Sequence, residues 1–308
     1  MTIPEKLKII QDISELTQTE LAFKIGVSFV AFNNWWTGKS QPRKKQAANI
    51  DALYKEYTGQ KIIPESLLVA KKVLLEKRVK KYKNLLEVIL NNPDIYDQFI
   101  LSLTYNSNKI EGSTLSEDET ADIMFNDRSI PNKSMVEHLE VKNHQAALQY
   151  LFQYLKSAQK LDEALVLKLH SILMNGIRDD AGVYRNHGVR IVGSNVSTAN
   201  YMKVSALMGS LTKSINRKLK DTIAHISEIH AAFEQVHPFS DGNGRVGRMI
   251  VTAMLLKKSL APAVIKQEDN QLYYACLRRA QLKGDTTQLE DFVCDAVATG
   301  FDIVERNI

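Results

Sequence analysis

Apolar residues recur at helical spacing along most of the chain. Ile226, Ile229, Phe233 and Val236 lie three or four apart, and Leu21, Ala22 and Ile25 give a shorter segment one apolar face. From Glu65 to Leu90, Leu67, Leu68, Leu74, Leu75, Val79, Leu85 and Leu86 form a stripe that predicts one long helix, broken at Asn91, Asn92 and Pro93. Its charges, Lys71, Lys72, Lys77, Arg78, Lys80, Lys81 and Lys83, read as a solvated face, with a nucleic acid or an acidic partner as the alternative. Between Gly182 and Val204 the period changes. β-Branched residues alternate around Gly188 and Gly193, which predicts one β-hairpin in an otherwise helical protein.

Composition narrows the classes. At 308 residues the chain is long enough for about two domains. Its 44% hydrophobic content excludes a disordered chain. The net charge of +5 permits a phosphate-bearing partner without demanding one. Apolar runs such as Met249 to Leu256 are too short to span a membrane. The N-terminus carries charges within its apolar pattern, so no signal peptide is expected. Cys276 and Cys294 form no CxxC pair, which excludes a cysteine zinc site and fits a reducing, cytoplasmic setting.

Near the N-terminus, Thr17 and Glu20 form a capping-box pattern. Gly26 ends that helix, a second begins at Val27-Ser28 and runs through Phe32 and Trp35, and Gly38 and Pro42 stop it. Gln18, Leu21, Ala22, Gly26, Val27, Ser28, Trp35, Gly38 and Pro42 resemble the Cro/repressor-like helix-turn-helix family, whereas Trp36 stands where that family carries an acid. The resemblance implies duplex DNA as a partner. Ser28, Phe29, Asn33 and Asn34 would face bases, and Lys39, Arg43, Lys44 and Lys45 phosphates. Residues 1–60 carry only eight Lys/Arg against six Asp/Glu, so a protein-interaction module is the competing reading.

The densest chemistry lies in His237-Pro238-Phe239-Ser240-Asp241-Gly242-Asn243-Gly244-Arg245-Val246-Gly247-Arg248. Its G-x-G-x-x-G is not a dinucleotide fingerprint, because the preceding segment has helical and not strand spacing. No Gly-Lys-Ser/Thr follows, so it is not a Walker A loop either. A Gly-rich turn opening a helix from about Arg245 to Lys257 makes an anion nest at a positive helix end. Arg245 and Arg248 suit phosphates, and Asp241 suits Mg²⁺ held jointly with phosphates. His237 is the nearby general base. The other histidines, His138, His144, His170, His187, His225 and His230, lack metal spacing and read as ordinary core or surface residues.

This stretch resembles the Fic family motif HPFx(D/E)GNGRxxR without a mismatch, and the resemblance extends over about Tyr96 to Glu305. It implies a helical domain that transfers AMP from ATP to a Ser, Thr or Tyr hydroxyl of a target protein, with Mg²⁺ or Mn²⁺ as cofactor. His237 would deprotonate the hydroxyl, Asp241 would hold the metal, and Phe239 would anchor the loop. Gly242, Asn243 and Gly244 would form the anion hole. Arg245 would bind the β-phosphate and Arg248 the γ-phosphate. The hairpin would be the family's target-clamping flap, with arms Val189 to Val192 and Asn200 to Val204. Tyr273 and Tyr274 fall on a helix similar to one near the family's adenine pocket.

Ser107-Asn108-Lys109-Ile110-Glu111-Gly112 resembles the family's inhibitory helix, (S/T)xxxE(G/N). Glu111 would form a bidentate pair with Arg248 and occupy the γ-phosphate space. The expected architecture is mainly α: a helix-turn-helix bundle at 1–58, a connecting segment at 59–95, and a Fic domain at 96–308 with its inhibitory helix around 103–112. The leading function is AMP transfer restrained by Glu111. Removal of AMP using Glu111, and transcription control with a nucleotide-sensing Fic domain, are the alternatives. The family often dimerises, so a homodimer is also anticipated.

Overall fold

A computed structural model describes residues 2–157, 159–191 and 196–306. All regular structure among them is helical. The N-terminal part holds α1 (Ile3–Ser14), α2 (Gln18–Ile25), α3 (Phe29–Trp36) and α4 (Lys44–Tyr57). Thr2 with Glu5, and Thr17 with Glu20, form capping boxes that start α1 and α2. Gly26, at φ +79°, ends α2 in the left-handed conformation that a side chain would resist. The next helix begins at Phe29 and not at Val27, because Ser28 is its N-cap and accepts from the Ala31 amide at 3.3 Å. Leu7, Ile10, Leu21, Phe32, Ile50 and Tyr57 fill a core that is separate from the main one.

Two helices, α5 (Glu65–Val79) and α6 (Leu85–Asn91), replace the single helix expected from Glu65 to Leu90. Asn84 supplies the interruption by capping α6 through the Glu87 amide. Of the expected stripe on α5, Leu68 and Leu75 are buried, whereas Leu67 and Leu74 are exposed. The remaining helices are α7 (Pro93–Ile110), α8 (Glu117–Asn126), α9 (Met135–Lys156), α10 (Glu163–Leu173), α11 (Val204–Ile215), α12 (Thr222–Val236), α13 (Asn243–Leu256), α14 (Asn270–Lys283) and α15 (Thr287–Arg306). Three of the basic side chains of α5 clamp α15, while Lys77 stays exposed. Lys72 reaches Glu290 at 2.5 Å, Lys71 reaches Asp295 at 2.8 Å, and Arg78 reaches Asp302 at 2.6 Å.

The β-hairpin does not form among the described residues. Residues 189–191 are not strand, and Val192 lies outside the described residues. Asn200 accepts from the Met202 amide at 3.0 Å and starts a 3₁₀ turn at Tyr201–Lys203. That local bond competes with ladder formation. Val204 then opens α11, since Val204, Met208, Leu211 and Ile215 bury one helical face. No helix among the described residues is long and apolar enough to cross a membrane.

The elements that position the loop pack closely. A Cβ added at Gly247 of α13 would stand 2.3 Å from Glu234 Oε1 of α12. Helix α14 lies between the two cores, and its Leu272 packs against both.

Candidate active site

Helix α12 ends at Val236, and His237 is its C-cap in a left-handed conformation, φ +50°. Pro238 cannot continue a helix. Phe239 is fully buried and stacks on the His170 ring, with centroids 3.7 Å apart and planes 3° from parallel. The Asn243 amide closes the loop. Its Oδ1 accepts from the Phe239 amide at 2.8 Å and its Nδ2 donates to the Phe239 carbonyl at 2.9 Å. That side chain is therefore committed to the loop, and only its backbone can serve an anion. Gly242, at φ +75°, opens α13 without a side-chain cap, which leaves the positive end of that helix to a ligand.

The loop faces a cavity of about 540 Å³. His237, Asp241, Gly242, Asn243, Gly244 and Arg248 all line it, together with Glu111 from the end of α7. Tyr273 and Tyr274 of α14 and Arg190 of the segment before α11 complete the wall. His237 Nδ1 lies 3.2 Å from the Glu234 carbonyl. A carbonyl only accepts, so Nδ1 carries the proton and Nε2 keeps its lone pair. Burial, aided by the Arg185 cation, lowers the His237 pKa, so the imidazole is neutral at pH 7.

Arg248 is buried and holds three contacts to α7 and its C-cap. Nε donates to Ser107 Oγ at 2.9 Å, and Nη2 donates to the Ser107 carbonyl at 3.0 Å and to Glu111 Oε1 at 2.6 Å. The Glu111 contact is thus monodentate, contrary to the fork expected from sequence, because Ser107 takes the Nε edge of the guanidinium. Burial opposes its charge, but Glu111, together with Tyr273 and Tyr274, raises the Arg248 pKa above its ordinary value. Nη1 has no partner.

Arg245 does not line the cavity. It is buried, and Glu140 of α9 accepts from its Nη1 at 2.7 Å. Asp241 Oδ1 stands 3.7 Å from Arg245 Nη2 and accepts from the Gly242 amide at 2.6 Å. No cluster of three or more metal-ligating side chains exists among the described residues. The exposed Asp241 carboxylate is one ligand, which fits a Mg²⁺ ion completed by nucleotide phosphates and does not fit a resident metal.

Several residues at this site carry no sequence signal of their own. His170 Nδ1 accepts from the Gly182 amide at 2.8 Å, and its Nε2 donates to the Asp241 carbonyl at 3.1 Å. Burial pushes its pKa down to about 4, so it braces the loop as a neutral ring. Glu234 is 8% exposed, and burial raises its pKa to about 8. Glu140 and Arg185 are legible only once α9 and the 182–191 segment are placed beside the loop. His230 bonds the Tyr273 hydroxyl at 2.6 Å in the wall behind the cavity, and burial lowers its pKa to about 3.

The residues expected to meet DNA sit elsewhere, on α3 and its N-cap, the turn after it and the start of α4. Ser28, Phe29, Lys39, Arg43, Lys44 and Lys45 are exposed, and Asn33 and Asn34 are half-buried. Phe23 and Val30 beside them are exposed at 87% and 70%, an apolar face among the basic residues.

Comparison with known proteins follows the same outline. Residues 160–255 match the model of the Fic/DOC family. The chain is 28% identical over 193 residues to a protein adenylyltransferase Fic of Nematostella vectensis, covering 61% of this chain and 45% of that protein. It is 30% identical over 182 residues to protein adenylyltransferase fic-1 of Caenorhabditis briggsae, covering 58% of this chain and 36% of that protein. The chain therefore spans less than half the length of these curated relatives. Among solved structures, Fic-1 (aa134–508) of C. elegans aligns with a TM-score of 0.67 at 20% identity, covering 99% of this chain and 88% of that one. A Fic domain containing signaling protein from Bacteroides thetaiotaomicron aligns with a TM-score of 0.65 at 21% identity, covering 77% of this chain and 98% of that one. At those identities the likeness is one of fold. Residues 160–255, which carry α10 to α13 and the loop between the last two, are a Fic domain.

Proposed function

We propose that the chain transfers AMP from ATP to a hydroxyl of a target protein, and that Glu111 restrains the reaction. The observation that carries this reading is the placement of a neutral His237, the uncapped N-terminus of α13 and Arg248 around one cavity. The triphosphate lies along the amides of Gly242 to Gly244, with the γ-phosphate at Arg248. His237 Nε2 accepts the proton as the target oxygen forms its bond to the α-phosphorus. The bond from that phosphorus to the bridging oxygen breaks, and pyrophosphate leaves with the electron pair. Asp241 would hold a Mg²⁺ ion delivered with the nucleotide, whose chemistry is to neutralise phosphate charge. Arg245 is tied to Glu140 and reaches a phosphate only if Glu140 releases it.

Glu111 places a carboxylate 2.6 Å from the guanidinium that the γ-phosphate needs. ATP would then bind with its phosphates misplaced, and a shift of about 1 Å costs roughly 10²-fold in rate. The test is transfer of label from α-labelled ATP in the full chain. Glu111→Gly should exceed the parent by at least roughly 10-fold, and Arg248→Ala should remove that gain. Equal labelling by parent and Glu111→Gly at saturating Mg-ATP would sink the restraint.

The N-terminal unit, residues 1–58, we assign to duplex DNA binding. The support is the capped α2–Gly26–α3 turn, which leaves Ser28 and Phe29 exposed at the start of α3. Residues 59–95 connect it to a Fic unit taken as 96–308; the separate cores support the boundary near 58, whereas Ile63, Leu68, Leu75 and Ile89 of the connecting segment pack into the same core as the Fic unit. Cys276 and Cys294 are free and buried, which suits a reducing cytoplasm.

A further inference from the structure

Arg185 enters the reading above only as a cation near His237, yet it is among the most constrained side chains near the loop. It is 4% exposed. Among the described residues it forms no ion pair, and its partners are carbonyl oxygens. Nε donates to the His237 carbonyl at 2.7 Å, Nη1 to the His187 carbonyl at 2.7 Å, and Nη2 to the Ala199 carbonyl at 2.5 Å and the Val236 carbonyl at 3.3 Å. Its own amide donates to the Pro238 carbonyl at 3.0 Å.

We propose that Arg185 is a positioning residue that locks the backbone of the base and fastens to it the segment bordering the target's side of the cavity. Val236 and His237 end α12, where unpaired carbonyls and the negative end of the helix dipole attract a cation. Glycine is the usual residue in a left-handed C-cap, whereas a histidine there is strained and must be held by its surroundings. The guanidinium supplies that hold, since its planar fork meets carbonyls on two sides at once. On the other side it grips His187 and Ala199, the flanks of the segment that contributes Arg190 to the cavity wall. Two further bonds run parallel to it. The Ala199 amide donates to the Gln235 carbonyl at 3.2 Å, and Thr198 Oγ1 donates to the Val189 carbonyl at 2.8 Å. The described flanks of the segment on which a target chain would lie, 187–191 and 196–199, are thereby tied to the backbone of the residue that takes its proton.

This inference rests on the AMP-transfer reading for its catalytic consequence, but its structural half stands apart and is tested apart. Arg185→Gln and Arg185→Lys are made in the full chain, each with Glu111→Gly, and compared with Glu111→Gly alone. Label transfer, ATP binding by calorimetry and amide hydrogen exchange over residues 187–199 are measured. The expected result for Arg185→Gln is a loss of transfer of roughly 10²-fold, ATP affinity within about threefold, and faster exchange at Ala199. Lysine keeps the charge but not the fork, so Arg185→Lys should lose roughly 10-fold and carry the test if the glutamine variant does not fold. Millimolar guanidinium should recover part of the activity of Arg185→Gln, which a general loss of stability would not allow. Transfer within threefold of the parent in both variants overturns the proposal. If Glu111→Gly transfers nothing, the AMP-transfer reading fails, and unchanged exchange at 187–199 then overturns the positioning role as well.

Discussion

At the scale of single residues, the buried Arg248 governs the site's electrostatics. Its charge is compensated by Glu111 and two oxygens of Ser107. Removing the carboxylate leaves a buried cation without a counter-charge. Glu111→Gly should therefore lower the stability of the nucleotide-free protein by about 1–3 kcal/mol, less than for a fully enclosed pair because Glu111 is partly open to water. ATP should restore more stability to the variant than to the parent, as read from thermal melts with and without Mg-ATP. The base gives a pH prediction. Burial and Arg185 lower the His237 pKa, while the bond to the Glu234 carbonyl, Glu111 and Asp241 raise it. Transfer should stay level from pH 8 through 7 and fall only below 6.5, the ordinary histidine value. Losing Glu111 removes an upward influence, so the acid limb of Glu111→Gly should lie lower still. An acid limb above pH 7 would contradict the assignment of His237 as base.

Between elements, glycines mark where two surfaces approach too closely for a side chain. A Cβ at Gly244 would stand 2.3 Å from Glu111 Oε1 and 3.0 Å from Arg248 Nη1. Gly244→Ala should displace the carboxylate at the end of α7, and its test is a weaker restraint combined with poorer ATP binding. A Cβ at Gly300 of α15 would stand 2.1 Å from the Pro262 carbonyl, which is backbone and cannot rotate aside. Gly300→Ala should cost roughly 1–3 kcal/mol, read from urea unfolding. A midpoint unchanged from the parent would show that α15 can slide.

For the whole molecule, two cores meet at α14. Lys24 of α2 pairs with Asp269 at 2.9 Å, and Gln271, which also lines the cavity, donates to Glu15 at 3.0 Å. If residues 1–58 bind duplex DNA, binding should weaken steeply with salt in a mobility-shift titration. Failure to shift promoter fragments at micromolar protein would leave the apolar face of Phe23 and Val30 as a protein contact. Acid should destabilise the fold through its buried rings. His170 and His230, with pKa values of about 4 and 3 when folded, bind protons near 6.5 only when unfolded. Stability is thus present above 6.5 and falls as the pH drops toward 4. Glu234 works the other way, since its proton is held in the folded state up to about pH 8. His144 and His237 are lowered by burial as well, so several histidines stand against one carboxyl, and urea midpoints should be lower at pH 5 than at pH 7.

The chain's local order alone carried the helical class, the capping boxes at Thr17 and the Gly-rich loop with its histidine. Each depends on residues within about one to three helical turns, where period and cap chemistry act directly. Local order misled at Asn200, where alternating β-branched residues predict a strand but a side-chain bond and a buried helical face prevail. It also misled on α5, where periodicity cannot show that α15 brings carboxylates to the lysines. The family resemblance already pairs Glu111 with Arg248, but only tertiary packing decided that Glu140 takes Arg245 across 105 positions, that Ser107 shares Arg248 with Glu111 across 141, and that Arg185 grips the His237 carbonyl across 52. Charged groups so far apart are brought together by the burial of apolar faces that carry no mark of which charge lies beside them. Arg185 ends bonded to carbonyls because folding leaves it buried beside the C-terminal end of α12, and among the described residues it forms no ion pair.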